Sequence, residues 1–190
     1  YDHETIHDRT IHSLFQSVTT RTAGFNTTDL AAMDESGTAI MIILMLIGGS
    51  PGSTAGGMKT ATFAVLFLSA ITVLRRRNDV QCFKRRISNE AVCSAGAVLF
   101  MYLVLSFTSG IIISRVENLP LLTCLFETSS AIGTVGLTLG LTNGLSAVSR
   151  VILMILMFFG RVGGLTLIYA ALPSADSQHS RLPLEKISIG

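Results

Sequence analysis

One residue pattern occurs twice in this chain, and the second copy lies 112 positions after the first. The pairs that match at this spacing are Thr22 with Thr134, Gly24 with Gly136, Gly48 with Gly160, and residues 43–45 with 155–157. Residues 14–15 match 125–126 at a spacing of 111, so one residue is gained ahead of the shared turn. A repeat of this length is a whole supersecondary unit, and it therefore constrains the fold before any single motif does.

The composition indicates an integral membrane protein. Of the 190 residues, 49% are hydrophobic and 14% are charged, whereas a soluble domain has roughly 25% charged residues. The three cysteines, Cys82, Cys93 and Cys124, form no C-x-x-C pair and suggest neither a disulfide framework nor a metal site. We therefore predict an all-α membrane protein that contacts lipid and does not bind nucleic acid.

Three apolar stretches are candidates for crossing the bilayer, at residues 38–74, 91–113 and 147–172. The first is interrupted by a glycine-rich break at residues 48–57, and the ten residues before the break would rise only about 15 Å as helix. The break is thus predicted at mid-membrane, where irregular backbone must be buried in protein or line a watery cavity. The alternative is an ordinary loop between two short buried helices.

The basic residues predict the orientation. Six of them lie in the linker at residues 75–86, which contains one acidic residue, Asp79. By the positive-inside rule, this linker and the tail after residue 172 are cytoplasmic, in a protein that crosses the membrane several times. Residues 5–37 and 115–145 then lie on the outer side.

Each outer segment is predicted to contain a short helix, at residues 12–18 and 121–130, that precedes a turn rich in threonine and glycine. A helix that enters part-way brings its partly negative C-terminal end close to the turn. The turn itself offers backbone carbonyls that can replace the hydration shell of a potassium ion. The candidate ion ligands are Thr22, Ala23 and Gly24 in one turn and Thr134, Val135 and Gly136 in the other, with K⁺ held at the four threonine and glycine positions.

These motifs resemble the membrane subunit of the Trk/Ktr/HKT superfamily of potassium transporters. Residues 19–27 and 131–138 resemble its third and fourth selectivity filters, and residues 185–190 resemble a Ktr-type C-terminus. The resemblance implies four helix–pore loop–helix repeats in one polypeptide. Residues 1–86 would then be the third repeat, without its outer helix, and residues 87–190 the fourth repeat and the tail.

The resemblance also implies a gate beneath the filter. In the family, a loop in the third repeat obstructs the pore, and a fourth-repeat helix presents an arginine to it. The implied gate residues are Gly48, Gly49, Ser50, Gly52, Ser53, Thr54, Gly56, Gly57, Lys59 and Arg161, with the loop at about residues 48–58. Placing the charged side chain of Arg161 in a bilayer costs free energy unless the side chain is paired. Arg161 lies 112 positions after Gly49, so the two residues are equivalent in the repeat. The alternative for Arg161 is a side chain that snorkels to the cytoplasm.

The implied function is potassium uptake without covalent chemistry or a covalent cofactor; coupling to Na⁺ or H⁺ stays open. The implied partners are the first two repeats of the same transporter, a second copy in a homodimer, and a cytosolic ring of nucleotide-binding regulatory subunits.

Two other functions compete with this interpretation. A secondary carrier could place its binding site at a broken helix. A membrane zinc protease would use His3, Glu4 and His7, which match H-E-x-x-H, but such a site needs a third ligand and the motif is flanked by charged residues.

Overall fold

The computed structural model describes residues 6–77, 79–83 and 85–163, which are mostly helical. The α-helices are α1 (Ile6–Thr19), α2 (Glu35–Leu46), α3 (Thr60–Leu74), α4 (Asn89–Glu117), α5 (Leu121–Ile132) and α6 (Ala147–Val162), with a 3₁₀ helix at Leu30–Ala32. Strands β1 (Gln81–Cys82) and β2 (Arg85–Arg86) form an antiparallel hairpin in which Gln81 pairs with Arg86.

Helix α5 is the centre of the fold. It packs against α2, α4 and α6, and the nine consecutive residues 124–132 are all buried. Its 12 residues extend about 18 Å, too short to cross a hydrocarbon core of roughly 30 Å. A short helix that is buried on every side must be held by the longer helices around it, and α5 joins two core clusters. Ala131 and Ile132 belong to one cluster with Tyr102, and Phe126 belongs to the other with Met45.

Helix α4 is the one helix in the described part of the chain that is both long and apolar enough to cross a membrane. It has 29 residues, about 43 Å of helix. Ser88 caps its start by accepting a hydrogen bond from the Ala91 amide at 3.3 Å, and Asn118 ends it in the left-handed conformation. The predicted second apolar stretch is therefore helical, and the helix extends beyond both predicted ends.

The first apolar stretch is broken where the sequence predicted. Helix α2 ends at Leu46 and α3 begins at Thr60, and residues 48–58 between them form what we call the glycine-rich loop. The two ends of this loop are tied together: the Gly48 amide donates to the Met58 carbonyl at 2.7 Å, and the Thr60 amide donates to the Gly49 carbonyl at 3.0 Å. The loop thus leaves and re-enters the helical layer at nearly the same place.

Two features differ from the predictions. Helix α1 begins at Ile6 rather than at residue 12, because the apolar positions 11, 14 and 18 continue a helical period and Asp8 favours the positive N-terminal end. The hairpin in the basic linker was not predicted; it is closed by the Ile87 amide donating to Val80 at 2.9 Å. The all-α class therefore holds apart from this hairpin. The end of the third apolar stretch, the tail after residue 172, and His3 and Glu4 lie outside the described residues.

A cluster of buried hydroxyl groups joins α4 to α5. The Ser106 hydroxyl lies 3.1 Å from the Ser129 hydroxyl and 3.4 Å from that of Thr128. Thr128 also donates to the Ser106 carbonyl at 3.2 Å. All three side chains are almost completely buried. The hydroxyls of Ser106 and Ser129 depend on this cluster for their hydrogen bonds, whereas Thr128 also bonds the Leu125 carbonyl at 3.2 Å.

We predict that Ser106→Ala lowers the free energy of unfolding by about 1 kcal/mol, because the Ser129 hydroxyl stays buried without this partner. The Ser106→Ala/Ser129→Ala double variant should recover part of that loss, since both polar groups are then removed. Thermal unfolding of the intact protein in detergent measures both effects. Thr108→Ala, at an exposed position of the same helix, is the control and should change stability by less than about 0.5 kcal/mol. Equal losses from Ser106→Ala and Thr108→Ala would contradict the prediction.

Candidate functional site

The two turns predicted to bind an ion have the same unusual backbone. We call residues 22–24 the first turn and residues 134–136 the second turn. Thr22 and Thr134 have φ angles of 65° and 53°, and Gly24 and Gly136 have φ angles of 73° and 91°. Positive φ is uncommon for any residue with a side chain and a genuine outlier for a β-branched one. The sequence repeat is therefore matched by a repeat of the backbone conformation.

Each turn follows the C-terminal end of a short helix, α1 or α5. The Ala23 amide donates to the Thr19 carbonyl at 3.2 Å, and the Val135 amide donates to the Ser130 carbonyl at 2.9 Å. These two hydrogen bonds are equivalent in the two repeats. Both turns therefore lie at the partly negative ends of helix dipoles, an environment that favours a cation.

The two turns also touch one another. A Cβ added to Gly24 would lie 2.4 Å from the Val135 carbonyl oxygen, and one added to Gly136 would lie 4.0 Å from the Gly24 Cα. The first distance is far below van der Waals contact, so only glycine at position 24 allows this approach. The turns are thus packed side by side, with backbone carbonyls at their contact.

The glycine-rich loop is bound to the second turn and to α6. The Gly56 amide donates to the Thr134 hydroxyl at 3.0 Å. The Gly57 amide donates to the Gly160 carbonyl at 3.3 Å. Gly160 in turn lies against α5, because a Cβ there would be 2.0 Å from the Ile132 carbonyl oxygen. The loop is therefore held against the end of α5 at the point where the second turn begins.

Two cationic side chains bind carbonyls of the loop. Arg161 donates from Nη1 to the Thr54 carbonyl, and Lys59 donates from Nζ to the carbonyls of Ala55 and, at 3.2 Å, Ser53. Arg161 thus contacts the glycine-rich loop, as the sequence predicted, but its partner there is Thr54 and not the repeat-equivalent Gly49. Whether these residues form a gate stays a prediction.

The remaining loop residues shape its backbone. The Ser50 carbonyl accepts hydrogen bonds from the amide and the hydroxyl of Ser53, at 3.1 and 2.7 Å. Gly52, between them, has a φ of 84°. Residues 50–54 are exposed, whereas Gly56 and Gly57 are buried where the loop meets the second turn. The loop therefore has one buried end and one exposed tip.

Sequence reasoning missed several buried polar residues near the site, among them Tyr102 and Glu127. Tyr102 on α4 is 2% exposed and lines a cavity of about 540 Å³ beside the loop, together with Lys59 and Arg161. Glu127 on α5 is 5% exposed and accepts hydrogen bonds from the residues after the second turn. The one charged side chain of α5 was the available signal for Glu127. Tyr102 gave none, because a tyrosine in an apolar helix reads as ordinary packing.

Two matched turns lie at the ends of short helices beside a broken apolar helix, and this arrangement agrees with the resemblance to membrane proteins that transport ions. The family described as "TrkH: Cation transport protein" matches residues 3–180. The chain therefore belongs to the TrkH family of cation transport proteins.

Several characterised relatives are similar to this chain. The Ktr system potassium uptake protein B of Bacillus subtilis is 40% identical over 168 residues, which are 88% of this chain and 38% of the relative. The potassium/sodium uptake protein NtpJ of Enterococcus hirae is 35% identical over 192 residues, 98% of this chain and 43% of the relative. The chain thus spans about two fifths of the length of these relatives.

The crystal structure of the potassium transporter TrkH from Vibrio parahaemolyticus has a similar fold. The TM-score is 0.73 at 23% sequence identity, and the match covers 90% of this chain and 39% of that one. The similarity confirms the helical fold.

The conformation of the turns predicts how glycine substitutions affect ion preference. In the intact transporter, Gly24→Ala should lower the potassium-to-sodium permeability ratio by about tenfold, since its Cβ adds a clash to a left-handed strain of about 1–2 kcal/mol. Gly136→Ala should have a smaller effect, because it brings the strain without the clash. Reversal potentials or paired isotope fluxes in liposomes measure the ratio.

Gly52→Ala is the matched control. Gly52 has a φ of 84° and no atom within 4 Å of an added Cβ, so the variant has the same backbone strain but lies outside both turns, at the exposed tip of the glycine-rich loop. Its permeability ratio should equal that of the wild type. If all three variants retain the wild-type ratio, the two turns do not select the ion.

Proposed function

We propose that this chain supplies two of the four repeats of a potassium-selective pore in the plasma membrane. The observation that carries the proposal is the pair of turns with matched positive φ angles at Thr22 and Gly24 and at Thr134 and Gly136. Left-handed residues that alternate with ordinary ones allow successive peptide groups to point to the same side, unlike the alternation in a strand. The carbonyls of both turns can then replace the water around one dehydrated K⁺.

The proposed ion ligands are the residues of the first turn, including Ala23, and those of the second turn, including Val135. K⁺ would be held at the threonine and glycine positions of both turns. A ring of carbonyls around a central axis needs contributions from all sides, so the first two repeats of the transporter would complete the filter. The names of the relatives support potassium as the transported ion, and the name of NtpJ makes sodium the second candidate.

The proposed partners follow from the same architecture. Residues 75–86 would face the cytoplasm together with the tail, with residues 1–86 and 87–190 as the two repeats. The transporter would act as a homodimer on a cytosolic ring of nucleotide-binding regulatory subunits, which would meet the basic linker. The Ktr system names of the relatives agree with a transporter of several components.

The glycine-rich loop is the proposed gate. Its buried end is bound to the Thr134 hydroxyl, and Arg161 and Lys59 bind its carbonyls. A loop in this position would lie in the path of an ion that leaves the second turn. The two cationic side chains would add an electrostatic barrier, because a cation near the path repels K⁺ in a medium of low dielectric constant. Gating then requires the loop to break a small number of hydrogen bonds.

The carrier alternative is supported by one observation, the broken helix itself, since carriers bind substrates at such breaks. The protease alternative is not proposed. The chain belongs to a family of cation transport proteins, His3 and Glu4 lie outside the described residues, and within residues 6–77, 79–83 and 85–163 there is no group of three metal-binding side chains.

The direct test of the function is ion uptake by the intact transporter in liposomes. We expect K⁺ uptake that follows the membrane potential and that is faster than Na⁺ uptake when the same gradient is imposed for each ion. A carrier would instead exchange labelled for unlabelled ion at a rate near that of net transport. Equal uptake of K⁺, Na⁺ and a large organic cation would reject a selective pore.

The gate predicts that weakening the loop contacts increases basal flux. Arg161→Ala should raise K⁺ flux severalfold in the absence of regulatory subunits, and Thr134→Val should do the same, because valine keeps the shape of threonine but cannot accept the hydrogen bond from Gly56. A hydrogen bond contributes about 0.5–1.5 kcal/mol, which corresponds to an increase in flux of about two- to tenfold.

Thr22→Val provides the matched control. Thr22 is the repeat equivalent of Thr134. In the described part of the chain, however, the loop amide of Gly56 donates to the hydroxyl of Thr134 and not to that of Thr22. Both valine variants remove one hydroxyl from a turn, so any shared change in ion preference reflects the turns alone. If basal flux increases in Thr134→Val but not in Thr22→Val, the hydrogen bond between the loop and Thr134 helps to keep the pore closed. Equal basal flux in the two variants would reject the role of that contact in closing the pore.

A further inference from the structure

The short helices α1 and α5 each place one polar side chain in the protein interior at the same repeat position. Adding 111 to 16 gives 127, the spacing that also relates residues 14–15 to 125–126. Gln16 is 6% exposed and Glu127 is 5% exposed. A buried amide and a buried carboxylate at equivalent positions need a physical reason, because burying a polar group is costly unless it forms hydrogen bonds.

Glu127 binds the segment that continues from the second turn. Its Oε1 accepts a hydrogen bond from the Thr138 hydroxyl at 2.5 Å and another from the Leu139 amide at 3.0 Å. Its Oε2 accepts one from the Thr142 hydroxyl at 3.1 Å. The carboxylate thus receives three donors from a stretch of five residues that begins two positions after Gly136.

Gln16 binds the equivalent segment after the first turn. Its Nε2 donates to the Thr28 hydroxyl and, at 3.3 Å, to the Asn26 side-chain oxygen. The two side chains therefore bind their segments with opposite polarity, and the Oε1 atom of Gln16 has no hydrogen-bond partner among the described residues. The carboxylate of Glu127 accepts hydrogen bonds from its segment, and the amide of Gln16 donates hydrogen bonds to its own.

We propose, on the basis of the pore function above, that Glu127 and Gln16 are positioning residues for the two turns. Each turn is fixed at its inner end by the end of its helix and at its outer end by this side chain. A backbone held at both ends keeps its carbonyls aimed at the ion without reorganisation, and this preorganisation is what selective binding requires.

The cavity next to the second turn supports the assignment. It has a volume of about 500 Å³ and is lined by Thr134, Gly136, Glu127 and Thr138, among others. The carboxylate therefore borders the same space as the residues of the second turn. In this position Glu127 also brings a negative charge to one side of the ion path, and Gln16 brings none. The two turns thus differ in electrostatics although they share a backbone.

The test compares Glu127→Ala with Glu127→Gln in the intact transporter in liposomes. Glu127→Ala removes all three hydrogen bonds and should lower the potassium-to-sodium permeability ratio by about tenfold. Glu127→Gln retains an oxygen that can accept from Thr138 and Leu139, so its ratio should stay within about threefold of the wild type. The lost charge should instead appear as a higher apparent KM for K⁺ at unchanged maximal flux.

Glu117→Ala is the matched control. Glu117 also accepts three hydrogen bonds, from the Ser146 amide and hydroxyl and the Ser149 hydroxyl, but it holds the start of α6 and not a turn. The permeability ratio of this variant should not change even if its melting temperature falls.

A second variant covers the case in which Glu127→Ala does not fold. The Thr138→Ala/Thr142→Ala double variant removes two of the same hydrogen bonds by changing their donors, and it should lower the permeability ratio likewise.

The outcomes separate this inference from the proposed function. A wild-type transporter that does not prefer K⁺ would reject the pore function itself. A K⁺-selective wild type with an unchanged ratio in folded Glu127→Ala or in the double variant would overturn the positioning role. A Glu127→Gln variant as unselective as Glu127→Ala would overturn it as well, because the retained hydrogen bonds would then have no effect on selectivity.

Discussion

The structure depends on providing hydrogen-bond partners for the backbone amide and carbonyl groups of the glycine-rich loop. A helix that stops inside a membrane leaves amide and carbonyl groups without partners, and each unsatisfied group there costs several kcal/mol. Within the loop, the Gly48 amide donates to the Met58 carbonyl. The Gly57 amide donates to the Gly160 carbonyl, and the Gly56 amide donates to the Thr134 hydroxyl. Because two of these partners lie outside the loop, the loop can only form when α6 and the second turn are in place.

The same requirement explains why α5 occupies the centre. The end of α5 carries the second turn, contacts α6 through the Ile132 carbonyl at Gly160, and lies against the loop at Gly56. A side chain at Gly160 would separate α6 from α5 and move the Gly160 carbonyl that the loop uses. The second turn, the loop and the packing of α5 against α6 therefore depend on one set of contacts. We infer that a change in loop position acts directly on the second turn through Thr134.

Much of the fold was predictable because its signals are local or periodic. The repeat at 112 residues predicted that the two turns share a conformation, and the φ angles of Thr22 and Thr134 agree. Glycine and proline at residues 48–52 predicted the break, because neither residue favours a helix interior. The extra turns of α1 and the hairpin at residues 81–86 were missed, since a polar helix and a two-residue strand give weak patterns.

The sequence by itself determined the class of protein, the repeat, the broken helix and the residues of both turns, because apolar length, glycine and threonine act through the local chain. Only the tertiary structure decided that Gly56 binds Thr134, that Arg161 reaches Thr54 rather than Gly49, and that Glu127 and Gln16 hold the segments beyond the turns. These contacts join residues that lie up to 107 positions apart. Their partners are chosen by how helices pack and by which buried polar groups lack a donor or acceptor, and no pattern along the chain contains that information.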